Sequence, residues 1–252
     1  KVMSDALIEV AGDKMRSILA SLTSNRFLAV LTGFIITAII QSSSATSLMV
    51  ISFVNASLLT LFEAIGVILG SHIGTTVTAW LITLIGFKIH LSAMALPLMG
   101  IGFLLSFSKK KQNSQWGYFI IGFAILFLGL QFLNEAVPDI KENPEILEFL
   151  TNYTDLGFWS ILIFLGIGTL LTVIIQSSSA AMAITLIMCY QGWIPFELAA
   201  AMVLGLNVGT TITANLGAIV ANTNAKRAAR SHFITQGVGV LIMLFLLHPT
   251  LM

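Results

Sequence analysis

The sequence predicts an all-α polytopic membrane protein made of two inverted repeats, and three observations carry that expectation. Of 252 residues, 57% are hydrophobic and 9% charged, whereas a soluble domain carries about 25% charge, and the mean hydropathy is +0.97. The apolar residues fall in blocks near the ~20 residues that a helix rising about 1.5 Å per residue needs to cross a bilayer. Two polar motifs recur at one fixed spacing and divide the chain into equivalent halves. The composition excludes a soluble enzyme, a disordered chain and a disulfide-stapled scaffold, and a net charge of +1 leaves no footprint for nucleic acid. Cys189, the single cysteine, lies in an apolar stretch and reads as a small buried hydrophobe.

Lys1 to Ala20 lack the charged, apolar, small-residue order of a signal peptide and read as a helix tail followed by an amphipathic connector. The run His248-Pro249-Thr250-Leu251-Met252 follows directly on an apolar block, and a continuation beyond both ends is expected. Between them, the first repeat (1–115) holds the connector, a hairpin 27–54, a broken helix 58–86 and a helix 89–107. The second (116–252) holds a helix 117–137, an outside loop 138–157, a hairpin 158–190, a broken helix 194–221 and a helix 233–251. Three polar connections read as water-exposed loops: Ser108–Gln115 with Lys109, Lys110 and Lys111; Pro138–Leu156 with Asp139, Glu142, Glu145, Glu148 and Asp155; and Asn222–Ser231 with Lys226, Arg227 and Arg230.

The duplication rests on identities at one offset. Gln41-Ser42-Ser43-Ser44-Ala45 recurs as Gln176-Ser177-Ser178-Ser179-Ala180, and Gly74-Thr75-Thr76-Val77-Thr78-Ala79 as Gly209-Thr210-Thr211-Ile212-Thr213-Ala214, both 135 residues on. Gapless alignment of 32–81 with 167–216 gives 18 identities in 50, including Gly33/Gly168, Thr37/Thr172 and Gly70/Gly205.

Each half holds an apolar block, 27–54 and 158–190, that carries consecutive polar residues at mid-length. The first such block is too long for one span and too short for two, so a re-entrant hairpin is expected, with limbs of ~12 residues and Gln-Ser-Ser-Ser at a tip near the bilayer midplane. Irregular backbone survives at that depth only against protein or a water-filled cavity. The second block of each half carries paired glycines, Gly70-Ser71-His72-Ile73-Gly74 and Gly205-Leu206-Asn207-Val208-Gly209. Glycine costs about 1 kcal/mol in a helix interior, which suggests an unwound segment there. If the motif blocks are hairpins, 10 of the 12 Lys and Arg residues lie on one side, with Lys88 and Lys141 opposite; if they span, the split is 9 to 3. The positive-inside rule thus favours hairpins modestly. Three crossings then separate the halves, which gives them opposite orientation.

The two motifs supply Gln amides, Ser hydroxyls and the backbone N–H groups that open the following helix limbs, all neutral donors suited to a small oxyanion. The same oxygens suit Na⁺. No Arg or Lys inside the membrane balances a bound anion, and a co-bound cation lowers the cost of holding it. For a lone Ser or Thr in a membrane helix, packing is the ordinary explanation; a five-residue motif occurring twice points to a transport site.

Gln-Ser-Ser-Ser twice, each followed by a Gly-x-Asn-x-Gly-Thr-Thr run or its near variant, resembles the type II sodium/phosphate cotransporter family in its bacterial branch. The resemblance extends from Ala11-Gly12 and Asn25-Arg26 through Trp116-Gly117 to Ala229-Arg230-Ser231-His232. It implies sodium-driven import of inorganic phosphate by alternating access in a bacterial inner membrane, with basic loops cytoplasmic and no cofactor or enzymatic activity. It implies phosphate at Gln41, Ser42, Ser43, Ser44, Gln176, Ser177, Ser178 and Ser179. Sodium would meet Gln41, Ser43, Thr75, Thr76, Thr78, Gln176, Ser178, Asn207, Thr210, Thr211, Thr213 and Gln236. His72 stands where the family pattern has Asn, and Gln236 where relatives often have Asn. His72 and Trp80 are expected behind the site. The partners implied are phosphate, Na⁺ and the lipid bilayer; a homodimer, and a cytoplasmic regulatory domain outside this chain, are further expectations. Transport of sulfate or arsenate, or phosphate sensing without flux, stay open. An intramembrane serine hydrolase lacks a Gly-x-Ser-x-Gly elbow and an orienting carboxylate.

The remaining polar residues have blander readings. His90 and His232 suit an interface or a helix cap, and His248 a helix end. Glu63 and Glu197 suit helix N-termini. Trp116, Trp159 and Trp193 lie near block ends, as an aromatic belt predicts.

Overall fold

The computed structural model describes residues 5, 6, 9, 25–86, 92–136, 153, 154 and 156–250. Lys14, Arg16, Lys88, His90, Lys141 and the acidic residues Asp139, Glu142, Glu145, Glu148 and Asp155 lie outside the described residues, as does the side chain of His248. Among the described residues the regular structure is helical: α1 (Arg26–Ile40), α2 (Ser43–Asn55), α3 (Leu61–Leu81) ending in a π turn at Ile82–Gly86, α4 (Ser92–Ser106), α5 (Lys111–Ala136), α6 (Phe158–Ile175), α7 (Ser178–Tyr190), α8 (Phe196–Gly217) and α9 (Thr223–Thr250). Among the described residues, four stretches, Leu61–Leu84, Phe158–Ile175, Phe196–Gly217 and Thr223–Leu246, are long and apolar enough to cross a bilayer. The chain is a helical polytopic membrane protein.

Local chemistry sets the helix starts. The Asn25 side chain accepts from Phe27 N–H, and Thr60 and Glu63 form a reciprocal capping box that opens α3. Asn222 accepts from Ala225 N–H at 2.9 Å and opens α9. The Lys226–Arg230 segment is therefore helix, not loop, because its alanine-rich sequence extends the capped turn. The lysine triplet is likewise partly helical, since α5 begins at Lys111.

Both motif blocks break where the sequence places the break. Gln41 (φ 58°, ψ 30°) and Gln176 (φ 54°, ψ 30°) close α1 and α6 in the left-handed region, and Ser42 and Ser177 then cap α2 and α7 in extended conformation. The helices either side are 15 and 13 residues in the first half and 18 and 13 in the second, longer than the expected ~12.

The paired glycines do not unwind their helices. α3 and α8 run unbroken through Gly70–Thr76 and Gly205–Thr211, contrary to expectation, and α-helical register is lost only at the π turn. The glycines serve packing instead. A Cβ on Gly70 would meet the Val30 carbonyl and one on Gly74 the Phe34 carbonyl and Thr37; in the second half, Gly205 meets Leu165 and Gly209 meets Thr169 and Thr172. Gly33 against Val67 repeats as Gly168 against Met202. Every one of these pairs is offset by 135, so the duplication extends to backbone contacts.

Contact order gives direction. Gly66 lies against Arg26 and Ala29, Gly70 against Val30 and Phe34, and Gly74 against Phe34 and Thr37, so α1 and α3 run parallel. α2, joining them through short connections, runs back. The same register holds for α6 and α8. Between the halves, Ala79 of α3 packs against the cluster of Ala181 and Met182 of α7 with Leu206 of α8, and Ala214 of α8, its repeat mate, belongs to the buried cluster that holds Val50 and Val54 of α2. At the far end of α2, Asn222 donates its N–H to Asn55 Oδ1 at 2.7 Å and its amide to the Val54 and Asn55 carbonyls.

Candidate functional site

The two Gln-Ser-Ser-Ser turns meet. Ser179 Oγ donates to the Gln41 carbonyl oxygen at 3.4 Å, joining residues 138 apart in sequence. At each turn the capping serine accepts from the third helical N–H, Ser42 from Ala45 at 3.2 Å and Ser177 from Ala180 at 3.3 Å. The N–H groups of Ser43, Ser44, Ser178 and Ser179 precede the first intrahelical acceptor, so they remain available at the tips. Ser43 and Ser178 are buried, at 4% and 8% exposure, while Ser44 and Ser179 are half-buried. The amide of Gln41 donates back to the Ala38 carbonyl, whereas Gln176 is exposed. Non-glycine residues in the left-handed region cost roughly 1–3 kcal/mol each and cluster at functional sites; two glutamines at equivalent positions fit that pattern.

The Gly-Thr-Thr runs lie one turn behind the tips, where Gly74 touches Thr37 and Gly209 touches Thr172. Thr75 and Thr76 donate to the Ser71 and Ile73 carbonyls at 3.1 and 2.7 Å, and Thr210 and Thr211 to the Asn207 and Val208 carbonyls at 2.7 Å each. With their hydrogens committed to the helix, these hydroxyls present lone pairs, the side that a hard cation uses. Thr75, Thr78, Thr210 and Thr211 are buried, Asn207, Thr213 and Gln236 half-buried, and Thr76 exposed. Trp80, expected behind the site, is 64% exposed and does not back it.

The two halves differ in their hydroxyl pairing. Thr37 donates to Thr46 at 3.0 Å in the buried base of the first tip. The mate of Thr46 is Ala181, so the Thr172 hydroxyl is buried without a partner. The sequence reading identified Thr37/Thr172 as a repeat pair and missed this asymmetry, although the Thr46/Ala181 mismatch signals it. It also placed His232 at an interface or cap, whereas His232 is buried and its Nε2 lies 2.6 Å from Nε2 of His72. The residues are 160 apart, and no local pattern predicts their meeting. Glu63 does take the capping role read for it.

A duplicated helix–turn–helix whose polar turns touch, set among helices long enough to cross a bilayer, defines a helical polytopic membrane protein. The profile of the Na⁺/Pi-cotransporter family matches residues 1–135 and 144–250, and the chain belongs to that family. It is 29% identical over 248 residues to YjbB of Salmonella typhimurium, a protein named for inorganic phosphate export, covering 98% of this chain and 44% of the relative. It is 31% identical over 246 residues to YqeW of Bacillus subtilis, covering 96% of this chain and 76% of that one. A segment of 65 residues, 26% of this chain and 9% of the relative, is 40% identical to human sodium-dependent phosphate transport protein 2B. The chain thus spans less than half the length of the export-named relatives. No solved structure matches it. The family, the YjbB protein and the human protein 2B carry transporter names, and the chain's family is one of transporters, not enzymes.

Proposed function

We propose that the chain couples Na⁺ to the import of inorganic phosphate by alternating access, binding phosphate between the two Gln-Ser-Ser-Ser tips and Na⁺ on neighbouring oxygens. The observation that carries this reading is the Ser179–Gln41 contact, which joins the two turns from which α2 and α7 start. Tips joined in this way offer neutral donors to an oxyanion, and the Gly-Thr-Thr hydroxyls behind them offer oxygens to Na⁺, whose charge offsets that of the anion. In this reading the phosphate contacts are Gln41 to Ser44 and Gln176 to Ser179, and Na⁺ draws on Gln41, Ser43, Gln176, Ser178, the threonines of both Gly-Thr-Thr runs, Asn207 and Gln236.

The halves are inverted repeats with re-entrant hairpins in this reading. Support comes from the contacts: the tips touch, yet the end of α8 is pinned by Asn222 to the far end of α2, so the hairpins enter from opposite ends and α3 and α8 run opposite ways. Arg26, Lys109, Lys110, Lys226, Arg227 and Arg230 then share one side, which the positive-inside rule makes cytoplasmic in a bacterial inner membrane.

Proteoliposomes test the function. Accumulation of labelled phosphate is expected with an inward Na⁺ gradient and not with K⁺, and Ser43→Ala or Ser178→Ala abolishes it; equal uptake in both salts refutes coupling. The name of the YjbB relatives favours a second reading, phosphate export, which predicts net efflux from phosphate-loaded vesicles under gradients that drive no uptake. Competition by sulfate or arsenate that matches unlabelled phosphate would reassign the anion, and binding without flux would make the protein a sensor.

A further inference from the structure

Between α8 and α9 the surface carries a groove of about 520 Å³, a size that holds a small organic ligand. One wall is Ile212, Asn215 and Leu216 of α8 with Ile219 in the turn that follows; the other is Arg230, Phe233 and Ile234 of α9. Helical spacing puts Lys226, Arg230, Phe233 and Ile234 on one face of α9, while the face it buries against the protein is Ala225, Ala228, Ala229 and His232. Asn215 ties the two walls together, its amide donating to the Thr211 carbonyl at 2.9 Å and across to the Ala229 carbonyl at 3.2 Å. Both amide hydrogens are used there, so the free donor in the lining is Arg230.

The groove opens outward. Leu216, Ile219, Phe233 and Ile234 are each between 51% and 61% exposed, on helices long and apolar enough to cross a bilayer, so lipid tails are what they meet. Charge decides which lipid. Among the described residues no carboxylate pairs with Arg230, and Lys226 and Arg227 stand within one turn of it. Cations at one end of a span lay their stems along apolar surface and hold their charge at headgroup level. A zwitterionic headgroup brings its own cation to that cluster. A second copy, related by a two-fold axis across the membrane, would bring an identical cluster to the same depth and set like charges together. An anionic phosphodiester carried on acyl chains suits both the apolar walls and the three cations.

We propose that the α8–α9 groove binds one anionic phospholipid, with an acyl chain along Leu216, Ile219, Phe233 and Ile234 and the headgroup phosphate accepting from the Arg230 guanidinium. Basic pockets between membrane helices hold anionic headgroups in this way. The lipid would bridge α8, which carries the second Gly-Thr-Thr run, to α9. The proposal is independent of which ion the protein moves.

The test uses the full chain in detergent micelles holding phosphatidylglycerol and phosphatidylcholine of identical acyl chains in equal amounts, and native mass spectrometry reads which lipid stays bound. Phosphatidylglycerol is retained at least about fivefold over phosphatidylcholine, the weight of one cation at an anionic surface. Arg230→Gln lowers that preference about fivefold, whereas Arg230→Lys, and Lys109→Gln outside the groove, stay within about twofold of wild type. Leu216→Trp fills the groove and lowers retention of both lipids, and it decides the matter if Arg230→Gln does not fold. Equal retention of the two lipids by wild type, or a preference that neither Arg230→Gln nor Leu216→Trp alters, reduces the contact to ordinary surrounding lipid and overturns the proposal. Displacement of phosphatidylglycerol by inorganic phosphate assigns Arg230 to the free anion, and a lipid-independent dimer that Leu216→Trp dissociates assigns the groove to a second copy; either result overturns it.

Discussion

Replacing Gly74 or Gly209 by alanine presses on the joint that holds each tip in place. A Cβ on Gly74 would lie 2.7 Å from the Phe34 carbonyl oxygen and 2.7 Å from Thr37 Cβ; on Gly209, it would lie 2.7 Å from Thr172 Cβ and 2.8 Å from the Thr169 oxygen. Ordinary contact begins at 3.4 Å, so the facing helix must retreat by about 0.7 Å. The opposing atoms are backbone and a β-carbon, which no rotamer change can move. Overpacking of this kind costs typically 1–3 kcal/mol, roughly 2–4 °C in melting temperature for each kcal/mol in a chain of this size. Thr37 and Thr172 stand one turn before Gln41 and Gln176, so the retreat also displaces the tips, and phosphate uptake should fall in both variants. Gly237, with nothing within 4 Å of its added Cβ, is the control; alanine there should be neutral or stabilising by up to about 1 kcal/mol. Thermal unfolding in detergent beside proteoliposome uptake reads both effects. Gly74→Ala and Gly209→Ala variants as stable and as active as Gly237→Ala would refute the assignment of these glycines to helix contact.

Three stability predictions follow from hydrogen bonds. Thr37→Val removes the bond donated to Thr46, whose own hydroxyl stays bonded to the Ser42 carbonyl, and should destabilise by about 1 kcal/mol, whereas Thr172→Val removes an orphaned hydroxyl and should be neutral or stabilising; equal effects in thermal unfolding would contradict the asymmetry. Asn222→Ala removes the α9 cap and the amide bonds to the Val54 and Asn55 carbonyls, while the backbone N–H keeps Asn55 Oδ1, and should cost about 2 kcal/mol, with protease cleavage near residue 222 increased. Thr60→Ala should cost about 1 kcal/mol through the α3 capping box, and an unchanged melting temperature would show that the cap is energetically idle.

The elements legible in the sequence were those whose signal is local or duplicated. The Gln-Ser-Ser-Ser breaks stood out because polar residues interrupt apolar runs at one offset, and Glu63 because an acidic residue opens an apolar block, as a helix N-terminus favours. The paired glycines misled, since glycine marks both a broken helix and a close helix contact, and only the facing chain distinguishes them. The basic stretch 226–230 read as a loop because charge masked its helix-forming alanines. The His72–His232 pair was illegible: each residue alone fits a core or interface role, and their meeting depends on how α3 packs on α9.

The shared site of anion and cation is tested most directly by a stability titration of the purified chain with phosphate, run in Na⁺ and in K⁺. If both ligands occupy one folded arrangement, phosphate at about 100 times its Kd should stabilise by ~2.7 kcal/mol in Na⁺ and by much less in K⁺, because each ion improves the binding of the other. The same shift in both salts, or none in either, would contradict it.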